Sequence, residues 1–153
     1  MRRILFSVLL GASFLVFGES TENIYNKLVQ SNGISNPFKL VVVELDLPFA
    51  VTQIVEKRIL ISTGMLRSTR NSEEVAKILG HELAHTMLAP SIIKYENEYN
   101  ADKVGMVLMR KAGYDSCKGA KYDLRGRNTP SKTHPSSLDR YKKEVTEAHC
   151  KAI

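Results

Sequence analysis

The sequence predicts an α+β fold, a small and mostly antiparallel sheet packed on two consecutive helices, and three observations carry that expectation. β-Branched and apolar residues crowd Phe38 to Leu45, Phe49 to Val55 and Arg58 to Ser62, as strands require. Val75, Ile78, Leu79, Leu83, Met87 and Leu88 recur at helical spacing, and Ile92, Tyr95, Tyr99, Met106 and Met109 form a rougher stripe over the next segment. At 153 residues, 43% of them apolar and with no repeat or low-complexity tract, the chain has room for one core.

Met1-Arg2-Arg3 and the apolar run from Ile4 to Phe17, closed by Gly18-Glu19-Ser20, have the form of a secretory signal peptide over residues 1–18, cleaved after Gly18 or Ser20. The run of ~14 residues would cover only ~21 Å of a ~30 Å hydrocarbon core, which disfavours the alternative of an uncleaved membrane anchor. A single domain over 21–153 is therefore expected outside the cytoplasm, periplasmic or secreted. Thr21 to Gln30 reads as a short amphipathic helix stopped by Asn32-Gly33. Pro48 ahead of the second strand argues for a sheet edge. Such an edge either accepts an extended peptide by backbone hydrogen bonds or simply protects the sheet.

Asn71-Ser72-Glu73-Glu74 is a helix start, a polar cap with Glu three residues on, and that helix ends before Pro90. A second helix covers Ser91 to Ala112. Cys117 to Thr133 reads as a polar loop, and Pro135 opens a last helix running to about Ala148. Cys117 and Cys150 are an even pair in a chain expected to be exported, which predicts a disulfide between the last helix and the segment after the second.

His81-Glu82-Leu83-Ala84-His85 carries the chemistry. Residues four apart on a helix lie about 40° apart around the axis and ~6 Å along it, so both imidazoles reach one ion from one face. Glu82, about 100° round, flanks that ion without binding it. The bland alternative is two surface histidines on an ordinary helix. A catalytic zinc takes three side chains and leaves a position for water. In an antiparallel helix pair Glu98 supplies the third ligand, with Glu96 as its rival, and Asp102 can accept the free ring N–H of a ligand histidine. One zinc per chain is the expected cofactor.

Ser62-Thr63-Gly64-Met65-Leu66, His81 to His85, Glu98 with Ala101-Asp102, Ala112-Gly113-Tyr114-Asp115 and Thr133-His134-Pro135 with Arg140 together resemble the zinc metallopeptidases of the HtpX and CAAX-prenyl-endopeptidase type. The resemblance covers about residues 38 to 147. It implies a minimal gluzincin-like metallopeptidase in which Glu98 is the third ligand and Asp102 its supporting partner. Two points differ: Pro48-Phe49-Ala50 stands where the family carries an Asn-Ala pair, and only a short segment separates His85 from Glu98. The spacing of His134 and Arg140 matches the family's downstream His-Pro and Arg pair. A catalytic role is expected for both, stabilising the oxyanion of the tetrahedral intermediate, or for His134 approaching the metal in the resting state. The alternative is structural, a loop brace and a partner for a buried carboxylate.

The expected function is zinc-dependent peptide hydrolysis with Glu82 as general base, endopeptidase sooner than exopeptidase, acting on peptides or unfolded protein in envelope quality control or turnover. A zinc-stapled binding or chaperone-like module would have no use for Glu82, whereas a non-peptidase zinc amidase or esterase would use the same residues. No GxSxG, GxxxxGK(S/T) or GxGxxG occurs to support a serine hydrolase, a nucleotide enzyme or a dehydrogenase. The net charge of +6 falls to +4 once Arg2 and Arg3 leave with the signal, a mild excess that implies no nucleic-acid partner. Lys118, Lys121, Arg125, Arg127 and Lys132 read as a solvated loop, open to transient contact with an anionic membrane surface. Oligomeric state has no signature in the sequence.

Overall fold

A computed structural model describes residues 15–16, 18–88, 94–126, 128–132 and 134–150. Most of the expected leader, the turn at Pro90 with the start of the second helix, and Arg127 and Thr133 lie outside the described residues. Strands β1 (Leu15–Val16) and β2 (Glu19–Ser20) pair antiparallel and lead into α1 (Thr21–Ser31). Ser20 caps that helix, its hydroxyl accepting from the Asn23 N–H at 3.1 Å. Ile24, Tyr25, Leu28 and Val29 turn one face into the core. Asn32 ends the helix and ties it across the fold, its Nδ2 donating to the carbonyls of Leu28 and Leu108.

Strands β3 (Lys39–Val43), β4 (Ala50–Gln53) and β5 (Arg58–Ser62) form a sheet in the order β3-β5-β4. Here the mostly antiparallel expectation needs correction, because β3 runs parallel to β5 and β4 alone runs antiparallel to it. The cause is the crossing segment 44–49. It passes over the end of β5, where the Gly64 N–H donates to the Leu45 carbonyl and the Ser62 N–H to Phe49. A Cβ at Gly64 would stand 2.0 Å from the Asp46 carbonyl oxygen, so the crossing needs glycine there. β4 emerges as an edge strand, as Pro48 implied.

Helix α2 (Thr63–Ser68) starts directly on the last residue of β5, with the Ser62 hydroxyl as its cap. Helix α3 (Ser72–His85) begins at its predicted cap, Asn71, whose Oδ1 accepts from the Glu74 N–H at 2.9 Å. Every residue from Glu74 to Ala84 is buried, which makes α3 the central element. Leu79 and Leu83 are fully buried, each worth ~1.5–3 kcal/mol of transfer. The helix stops at His85, so Met87 falls in the following turn and is 54% exposed, contrary to its expected place on the core face.

Helix α4 (Lys94–Lys111) returns antiparallel along α3, with Glu98 near His85 and Gly105 against Gly80. The expected polar loop from Cys117 instead holds a short helix, α5 (Ser116–Ala120), capped by Asp115, and a 3-10 helix (Lys121–Arg125). Arg125 is exposed as expected, yet its guanidinium also clamps both oxygens of Glu74, which is 1% exposed. Helix α6 (Ser137–Glu147) opens at a Ser136 cap, the residue directly after Pro135. Among the described residues, no helix is long and apolar enough to cross a membrane.

Cys117 and Cys150 form a disulfide that fastens α5 to the chain just past α6. Closing a loop with a sequence separation of 33 should stabilise the fold by about 3–4 kcal/mol. The double variant Cys117→Ser/Cys150→Ser is expected to unfold at a correspondingly lower urea concentration. An unchanged midpoint would mean that packing alone already holds α6 in place.

Candidate metal centre

His81 and His85 stand one turn apart on α3, and their Nε2 atoms face each other at 3.1 Å. Glu98 comes from α4, with Oε2 3.4 Å from His81 Nε2 and Oε1 3.7 Å from His85 Nε2. Donors ~2.0–2.1 Å from a tetrahedral zinc are separated by ~3.3–3.4 Å, so these spacings suit a single small cation. Glu98 Oε2 is buried without a hydrogen-bond donor, as an oxygen kept for a cation would be. The donor set of two imidazoles and a carboxylate also suits zinc. Glu96 is exposed and stands outside this cluster.

What allows Glu98 so close is a glycine contact between the helices. A Cβ on Gly105 would lie 2.9 Å from the Gly80 carbonyl carbon and from the backbone nitrogen of His81. The two backbones therefore touch beside the first histidine.

Glu82 is buried, and its Oε2 lies 2.8 Å from the hydroxyl of Thr52 on β4. The same hydroxyl lies 2.7 Å from the Glu82 carbonyl, so side chain and backbone of Glu82 are held against the edge strand. His134, on the loop before Pro135, brings Nε2 to 3.4 Å from Glu98 Oε2 and is 57% exposed at its side chain.

Behind the ligands, Asp102 Oδ1 meets His81 Nδ1 at 2.8 Å, the arrangement that leaves Nε2 for the cluster. Arg140 grips both oxygens of Asp102 from α6. Burial alone would lower His81, and the Asp102 carboxylate outweighs it, raising the imidazole to about 9. His85 moves the other way, lowered by burial and by the charge of His81. Burial works to raise Glu98 and Asp102, but both end lower: Glu98 through His81, Asp102 through Lys77, Arg140 and His81.

The sequence reading missed three features. Thr52 is an ordinary strand residue until the fold sets it against Glu82. Lys77, 5% exposed, pairs with Asp123 at 2.7 Å and Glu144 at 3.0 Å, with Asp102 at 3.7 Å. Asp123 Oδ2 and Glu144 Oε1 sit at ion-pair range without hydrogen-bond alignment. Burial pushes Glu144 up to about 8. The third is the Gly80–Gly105 contact; only its small-residue pair could have signalled it.

A helix-borne histidine pair with an intervening buried glutamate, beside a carboxylate on the next helix and a sheet edge, defines the class of a metallopeptidase. No curated protein matches the chain. The model of peptidase family M48 matches residues 19–94, from β2 to the first residue of α4, and this match supports a zinc metallopeptidase of that family. The matched stretch includes His81, Glu82 and His85 and ends before Glu98.

Proposed function

We propose that the protein is an exported zinc-dependent endopeptidase that cuts peptides or unfolded polypeptide in the cell envelope. The observation that carries this reading is the cluster of His81, His85 and Glu98 donor atoms within 4.8 Å of one another, flanked by a buried Glu82. His81, His85 and Glu98 would hold the metal. When bound, zinc supplies a Lewis acid that acidifies water and polarises a carbonyl.

The remaining steps belong to the chain's own groups. Glu82 accepts the proton of the attacking water at Oε1, the oxygen that Thr52 leaves open, and returns it to the departing amine. His134 donates from Nε2 to the oxygen that becomes negative as the carbonyl is attacked. Arg140 acts through Asp102 and not on substrate, because its guanidinium is committed to that carboxylate. The substrate backbone pairs with the outer edge of β4, beside Glu82.

The Cys117–Cys150 bond supports export, since disulfides persist in oxidising compartments. In that reading residues 1–18 are a signal peptide removed on the way. The purified protein is expected to degrade unfolded casein, to stop when a chelator strips the metal, and to resume when zinc is returned. Cleavage indifferent to the chelator would overturn the proposal.

A further inference from the structure

The ion cluster behind the histidines is larger than a metal site needs for its second layer. Lys77 lies one helical turn before His81 on α3, so its ammonium and the imidazole share a face. Asp102 stands between them, 2.8 Å from the ring and 3.7 Å from the ammonium. The nearer contacts of Lys77 go elsewhere, to Asp123 on the 3-10 helix and Glu144 on α6. One buried cation thus gathers carboxylates from three elements. A charge so deeply placed is an expensive way to stabilise a core, where an apolar side chain of similar volume would commonly do as well.

We propose that Lys77 is a positioning residue for the metal centre, acting through Asp102 on the ring of His81. The argument is electrostatic. Asp102 and Asp123 converge, with Glu144 beside them, on a space that water does not reach, and the repulsion between two charged carboxylates is strong at low dielectric. Lys77 offsets Asp123 and holds Glu144 beside it, which leaves Asp102 free to settle between Arg140 and His81. Without the ammonium, Asp123 would lose its ion-pair partner and its charge would act on Asp102 unscreened. Asp102 would then be displaced, and the imidazole that it orients would move with it. Loss of such a supporting partner typically costs 10–100-fold in metal affinity.

This inference rests on the zinc reading above, and the experiment separates the two. Lys77→Met by itself strands buried carboxylates and is expected to unfold easily. The informative protein is the full chain carrying Lys77→Met together with Asp123→Asn, which removes one cation and one anion at once. Its metal-free melting temperature should stay near that of the wild type. Its zinc Kd, measured by competition with a chromophoric chelator, should rise about 10–100-fold. The visible spectrum of the cobalt-substituted protein should also change, because it reports the geometry of the donor set. Zinc bound as tightly as by the wild type, with an unchanged cobalt spectrum, would overturn the positioning role and leave the peptidase reading intact. A wild type that takes up no zinc would overturn both.

Discussion

Glu82→Gln is expected to keep its zinc and its melting temperature while losing peptide hydrolysis by ~10²–10⁴-fold, the usual contribution of a general base. The substitution is nearly isosteric, and the amide oxygen can still accept from the Thr52 hydroxyl, so the side chain keeps its place against β4. What disappears is the capacity to take up a proton at Oε1. Elemental analysis and turnover on casein, measured on the same preparation, check both halves of the statement. A variant retaining wild-type turnover would remove Glu82 from the reaction. A wild type as inert as the variant would favour a binding module.

Glu98→Ala should abolish metal binding, the second large effect. Two imidazoles on one helix hold zinc weakly without a third side chain. Wild-type protein should melt higher when zinc is added, since a ligand that binds only the folded state stabilises it in proportion to RT ln(1 + [L]/Kd). The variant should show no such shift. Its metal-free form should melt close to wild type, because truncation removes a buried oxygen that has no hydrogen-bond donor. Full zinc occupancy in Glu98→Ala would remove Glu98 from the ligand set.

The legible parts of this molecule are those in which neighbours along the chain decide the outcome. The Asn71 cap, the apolar period of α3 and the strand composition around Ile59 and Ile61 are local properties, and they were readable as such. So was the proximity of His81 and His85, which helical geometry imposes. The parallel pairing of β3 with β5 was not readable, because it depends on where segment 44–49 crosses. α2 and α5 are too short, at 6 and 5 residues, for a period to register. The cluster around Lys77 joins Asp102, which the sequence placed behind a ligand histidine, to residues 77, 123 and 144, and each of those three alone reads as a surface charge. Burial converts them into one unit, and burial is a property of the assembled fold.

The contact between Gly80 and Gly105 has a consequence for which ions the site can tell apart. Glu98 is carried by α4 and the histidines by α3, so the span between donors is set by how closely two backbones approach. A methyl group at either glycine would force the helices apart by a few tenths of an ångström, about the difference in radius between zinc and a larger divalent ion such as cadmium. Ionic size discrimination would then reside in two positions that have no side chain at all, one of them a single peptide bond from a donor and the other on the facing helix. Engineering a different metal preference would begin at these glycines and leave every donor atom unchanged.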